Sequence, residues 1–113
     1  MHEMALAESV LDLVENAARA DGARRITCIR LEIGALASVV PEALRFCFDA
    51  VVRGSLADGA RLEIVETPGS AWCFRCAATV PIASLADACP RCAGAQLAPS
   101  GGSAMRVMDI EVD

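Results

Sequence analysis

The 113-residue chain contains no lysine; all ten of its basic residues are arginine. That absence excludes Schiff-base chemistry, and it excludes a P-loop, whose lysine must reach the β- and γ-phosphates. Tyrosine is absent too, and histidine occurs once, at His2. With one imidazole and no tyrosine for general acid–base work, the chain is read as a non-enzyme. No apolar run approaches the roughly 18 to 20 residues that span a bilayer. Acids (Glu3, Glu8, Asp12 and Glu15) stand where a signal peptide has its basic and apolar regions. A soluble, cytoplasmic chain with no membrane partner is expected. The net charge of −5 argues against nucleic acid, whose phosphates call for clustered bases.

What is present is a core: 55% of the residues are hydrophobic. From Met4 to Ala20, the residues Leu6, Val10, Leu13, Val14 and Ala17 fall at helical spacing, and Gly22 is a good terminator. Ile29-Arg30-Leu31-Glu32-Ile33 alternates as a half-buried strand does, and Gly34 closes it. Pro41 opens a second helix striped by Leu44, Cys47, Phe48 and Val51. A second alternating strand begins at Arg61, and Met108 to Val112 makes a third. The helix between the first two strands resembles a crossover connection, which favours parallel pairing there.

Between the second and third strands the composition changes. The turn-rich stretches Thr67-Pro68-Gly69-Ser70 and Pro99-Ser100-Gly101-Gly102-Ser103 bracket a segment poor in aliphatics that holds four of the six cysteines. The expected class is α+β: an α/β domain of two helices and a three-stranded sheet (1–67 plus 103–113), interrupted by a small metal-stapled module (68–102).

That module carries Cys73-Phe74-Arg75-Cys76 and Cys89-Pro90-Arg91-Cys92, with twelve residues between the pairs. Two C-x-x-C knuckles at this range are a strong signal for tetrahedral zinc, because thiolates at both ends of one tight turn can face the same ion. With four thiolates there is no open position, so the site should be structural. Arg75 and Arg91 stand where they could offset its net charge. Iron in a rubredoxin-like carrier, a redox-active C-x-x-C and a zinc-ribbon adaptor for protein or nucleic acid use similar residues. Cys28 and Cys47 are read as small buried side chains.

The chain start offers other ligands. The α-amine of Met1, the backbone nitrogen of His2 and its imidazole Nδ1 can form adjacent chelate rings, and Glu3 could complete a square. Such N/O geometry suits Ni(II) or Cu(II). The plainer reading is a tail histidine, with Glu3 favouring the helix N-terminus.

Taken together, the opening Met1-His2-Glu3, "LEIGALASVVPEALRFCFDAV" at Leu31 to Val51, "ARLEIVETPGSAWCFRC", "CPRC" and the closing "MRVMDIEVD" resemble the HypA/HybF family of hydrogenase maturation nickel chaperones. The resemblance runs nearly end to end. It implies a nickel-binding α/β domain joined to a zinc domain, with Ni(II) as transient cargo on Met1, His2 and Glu3. It also implies structural Zn(II) on Cys73, Cys76, Cys89 and Cys92. The implied partners are a GTPase maturation protein and the [NiFe] hydrogenase large subunit, with urease maturation proteins served by some relatives. The segment after Gly34, "ALASVV", departs from the family by being unusually apolar and small. The sequence leaves open whether the last strand stays within its own chain or exchanges in a homo-oligomer.

Overall fold

The computed structural model describes residues 2–113. Its elements are α1 (Glu3–Ala20), β1 (Ile26–Gly34), α2 (Pro41–Val51), β2 (Arg61–Thr67), β3 (Gly69–Cys73), β4 (Ala78–Ile82), β5 (Leu97–Gly101) and β6 (Met105–Val112). They form two helices and two three-stranded sheets, ordered β2-β1-β6 and β4-β3-β5. Two compact units result. One runs up to Leu31 and adds Val39–Val65 and Arg106–Asp113; the other comprises Glu32–Ser38 and Glu66–Met105.

In the first unit, α1 buries Ala7, Val10, Val14 and Ala18, one stripe at helical spacing. Leu13, expected on that stripe, is 57% exposed, and Ala17 is exposed as well. The small residues Ala7 and Ala18 take the central line instead. The helix ends in a Schellman arrangement: Ala23 N–H donates to the Ala18 carbonyl and Gly22 N–H to that of Arg19. Gly22 holds the left-handed φ of 73° that this ending needs. In α2, Pro41 occupies the first turn, where its missing N–H costs nothing, and Leu44 and Phe48 turn inward. Burying a side chain such as Phe48 stabilises by roughly 1.5–3 kcal/mol.

Strand β1 supplies the middle of the core through Ile26, Ile29 and Leu31. Its hydrogen bonds with β6 descend along one strand as they ascend along the other. Arg24 N–H donates to the Asp113 carbonyl (3.0 Å), Thr27 Oγ1 to that of Glu111 (3.2 Å), and Arg30 forks onto Asp109. This pair is therefore antiparallel. On the other side, Ile26 N–H donates to the Leu56 carbonyl and Ala35 N–H to that of Thr67, an advance in one direction as the crossover through α2 requires. Cys28 is buried in β1 as expected, whereas Cys47 on α2 is only half-buried.

The second unit holds more regular structure than its composition suggested. Strand β3 is central, antiparallel to both β4 and β5. Its inward residues Ala71 and Cys73 pack with Ile82 and Val80 of β4 and with Leu97 of β5. Leu36, from the segment after Gly34, joins this cluster. That segment is held by backbone: Gly34 N–H donates to the Ala104 carbonyl and Leu36 N–H to that of Gly102. A Cβ on Gly34 would collide with the Gly102 carbonyl, so the close crossing of these two chain segments requires glycine.

Candidate metal centre

The four-cysteine cluster grows from two turns of the same design. In the first, Cys73 ends β3 and Cys76 returns its backbone N–H to Cys73 Sγ at 3.4 Å. In the second, Arg91 N–H donates to Cys89 Sγ and Gly94 N–H to Cys92 Sγ, both at 3.4 Å. These N–H···S bonds orient the sulfurs. Each turn is followed by a left-handed alanine, Ala77 (φ 51°) and Ala93 (φ 60°).

The ligand atoms of all four cysteines lie within 4.8 Å of one another. Across the two knuckles, Cys73 Sγ is 3.7 Å from Cys92 Sγ and Cys76 Sγ is 3.9 Å from Cys89 Sγ. A tetrahedral zinc with Zn–S bonds of about 2.3 Å sets sulfur–sulfur edges of about 3.8 Å. Disulfide sulfurs are bonded at about 2.05 Å, so the spacing fits an ion and not a bridge. Cys73 and Cys89 are buried and Cys76 and Cys92 half-buried, and Val80 packs against them.

The cluster splits its thiols electrostatically. Burial pushes Cys89 up, but the backbone N–H groups of Cys92 and Arg91, with the neighbouring thiols of Cys92 and Cys73, outweigh it and bring Cys89 down to about 6. Cys76 goes the other way, to about 12, through its hydrogen bond to Cys92, burial and the remaining thiols. One group is thus ready to meet a cation at neutral pH, and another gives up its proton only when a cation replaces it.

At the chain start, His2 is the N-cap residue of α1, extended (φ −84°, ψ 117°) and exposed. Its carbonyl accepts Leu6 N–H at 3.1 Å, the first rung of the helix, and its side chain makes no capping hydrogen bond. Glu3 is the first helical residue and half-buried. A helix leaves its first N–H groups without intrahelical partners, so the amide nitrogens of His2 and Glu3 are not consumed by it. Met1, the third member of the expected ligand set, lies outside the described residues.

A family model described as "Hydrogenase/urease nickel incorporation, metallochaperone, hypA" matches residues 1–112. The chain belongs to the HypA family. The description of that family is of a metallochaperone. Among relatives sharing the HypA name, the hydrogenase maturation factor of Dechloromonas aromatica is 55% identical over 113 residues, the whole of both chains. That of Albidiferax ferrireducens is 57% identical over the same full length. The HypA fold is also seen in the solution structure of the Ni metallochaperone HypA from Helicobacter pylori, with a TM-score of 0.70 at 23% identity, covering 99% of this chain and 97% of that one. Among the described residues, no helix is long and apolar enough to cross a membrane.

Sequence reasoning picked out the four cysteines by spacing alone, and the structure brings all four together. It missed the left-handed residues that close each knuckle, since the usual signal, a glycine, is replaced by alanine at both.

Proposed function

We propose that this chain is a cytoplasmic nickel chaperone. It holds Ni(II) as transient cargo on Met1, His2 and Glu3 and passes it on for assembly of the [NiFe] hydrogenase site. Residues 1–67 with 103–113 would carry the nickel. Residues 68–102 would be stapled by structural Zn(II) on Cys73, Cys76, Cys89 and Cys92. The partners would be a GTPase maturation protein and the hydrogenase large subunit, with urease maturation proteins as further recipients. The observation that carries this reading is the match of a nickel-incorporation family model over residues 1–112, with Met1-His2-Glu3 and both knuckles intact.

The local chemistry supports it. A cargo site at a chain end costs few packing contacts when its ligands let go, which suits a protein that must release what it binds. Two amide nitrogens outside the helical ladder, one uncapped imidazole and an α-amine form a set suited to Ni(II). At the cysteine cluster, sulfur spacings of 3.7 and 3.9 Å support a closed four-thiolate zinc site.

Metal analysis and calorimetry of the untagged protein test this. The expected content after exposure to nickel is about one nickel and one zinc per chain, as the two ligand sets hold one ion each. Groups that merely orient metal ligands are worth about 10–100-fold in affinity, so loss of a ligand should cost at least about 100-fold. His2→Ala, and separately one residue added before Met1, should weaken Ni(II) binding by that much and leave zinc content unchanged. Nickel affinity that survives both changes would overturn the site.

A further inference from the structure

A groove of about 420 Å³ opens on the second unit, with Ala35, Pro68, Pro81, Ile82, Asp87 and Pro90 among its walls. Proline, alanine, glycine and isoleucine make up the lining except for Asp87, the one charged residue in it. That carboxylate is fixed by the turn it closes. Its Oδ2 accepts Ala83 N–H at 2.8 Å and Ser84 N–H at 3.2 Å, and Asp87 N–H donates back to the Ser84 carbonyl at 3.1 Å. Among the described residues, no hydrogen bond or ion pair reaches Oδ1. Leu85, at the tip of the same turn, is 62% exposed.

We propose that this groove is a docking site for a partner protein that inserts an arginine or lysine side chain beside a small apolar residue. A long cationic side chain matches both properties of the lining. Its methylene stem lies along apolar walls while its charged head meets a carboxylate held in one orientation. An acidic segment would set like charges together, and a wholly aliphatic one would take Asp87 out of water without a partner. None of this chain's own ten arginines lines the groove. The position matters because Ala88 and Pro90, both in the wall, are the two neighbours of Cys89. A docked side chain therefore touches the backbone that carries one of the four clustered sulfurs. The groove has this character whether or not the chain carries nickel.

The probe is a peptide, acetyl-Ala-Ala-Arg-Ala-Ala-amide, titrated into the zinc-loaded, isotope-labelled full-length protein at low salt and followed by amide chemical shifts. Counterparts carrying citrulline or glutamate in place of arginine serve as controls. Shifts are expected at Ala35, Gly69, Ile82, Ala83, Asp87 and Ala88, fading as the salt is raised towards about 1 M, where charges are screened beyond about 3 Å. Asp87→Asn keeps an acceptor for the two turn N–H groups and removes only the charge. It should weaken the arginine peptide about 3- to 5-fold, the range of an exposed ion pair, while Asp12→Asn on the first unit should not. Shifts scattered over the surface or absent, equal binding of the citrulline or glutamate peptide, or equal weakening by both variants would each overturn the proposal.

Discussion

At the scale of single residues, the two knuckles carry a local cost. A left-handed backbone disfavours any residue with a Cβ by roughly 1–2 kcal/mol, and Ala77 and Ala93 both adopt it, at φ 51° and 60°. Glycine would remove that penalty at the expense of about 0.4–1 kcal/mol of extra freedom in the unfolded chain. Ala77→Gly should therefore stabilise the zinc-loaded protein by about 0.5–1 kcal/mol, read as a rise in denaturant midpoint with unchanged slope. Ala93 precedes Gly94, whose own Cβ would press on Cys92 Sγ at 3.2 Å, so Ala93→Gly places two glycines in succession and should gain less. The four clustered cysteines were legible in the sequence because thiolate chemistry fixes both residue type and spacing. The turn that presents them was not, because alanine carries no signal for the backbone it is forced to adopt.

At the scale of elements, legibility followed the strength of the pattern. Helix α2 begins and ends as its proline and apolar stripe indicate, and β1 is announced by strict alternation. Strands β3, β4 and β5 gave no such signal. Each is five residues long, β4 contains Pro81 and β5 contains Pro99. Proline in a run argues against a strand unless the strand lies at a sheet edge, and β4 and β5 are the two edges flanking β3. Pairing partners distant in sequence decide this, and periodicity does not report them. Between β1 and β6, the fork of Arg30 Nε and Nη2 onto Asp109 (3.0 and 2.8 Å) adds a charge-dependent contribution. Its hydrogen bonds, helped by the guanidinium charge, hold the Asp109 carboxyl below the usual carboxylate range. A depressed folded-state pKa makes that contribution fully present above the ordinary value near 3.9 and lost as pH falls through the lowered one. Both side chains are about half exposed, so the effect is small and screened by salt. Asp109→Asn should leave the melting temperature nearly unchanged at neutral pH and high salt, and flatten only the acid limb of a stability–pH profile.

At the scale of the whole molecule, the two units are held together by different means. The first has an ordinary core of Val10, Val14, Ile29, Leu31, Leu44 and Phe48 and contains both helices. In the second, Cys73 and Cys89 are themselves buried in the core beside Val80, so the four-cysteine cluster is part of the packing and not an ornament on it. Trp72, the only tryptophan, stands in the second unit, whereas the helical signal comes from the first. The two probes therefore report the two units separately. Acid should separate them, because metal binding requires thiolates and protons compete with the ion for the four sulfurs. Lowering the pH stepwise with a zinc chelator present should change Trp72 fluorescence first, with the helical circular dichroism unchanged until a later, more acidic transition. Restoring neutral pH with zinc should recover the fluorescence. Coincident loss of both signals would mean that the first unit depends on the four-cysteine cluster for its own fold.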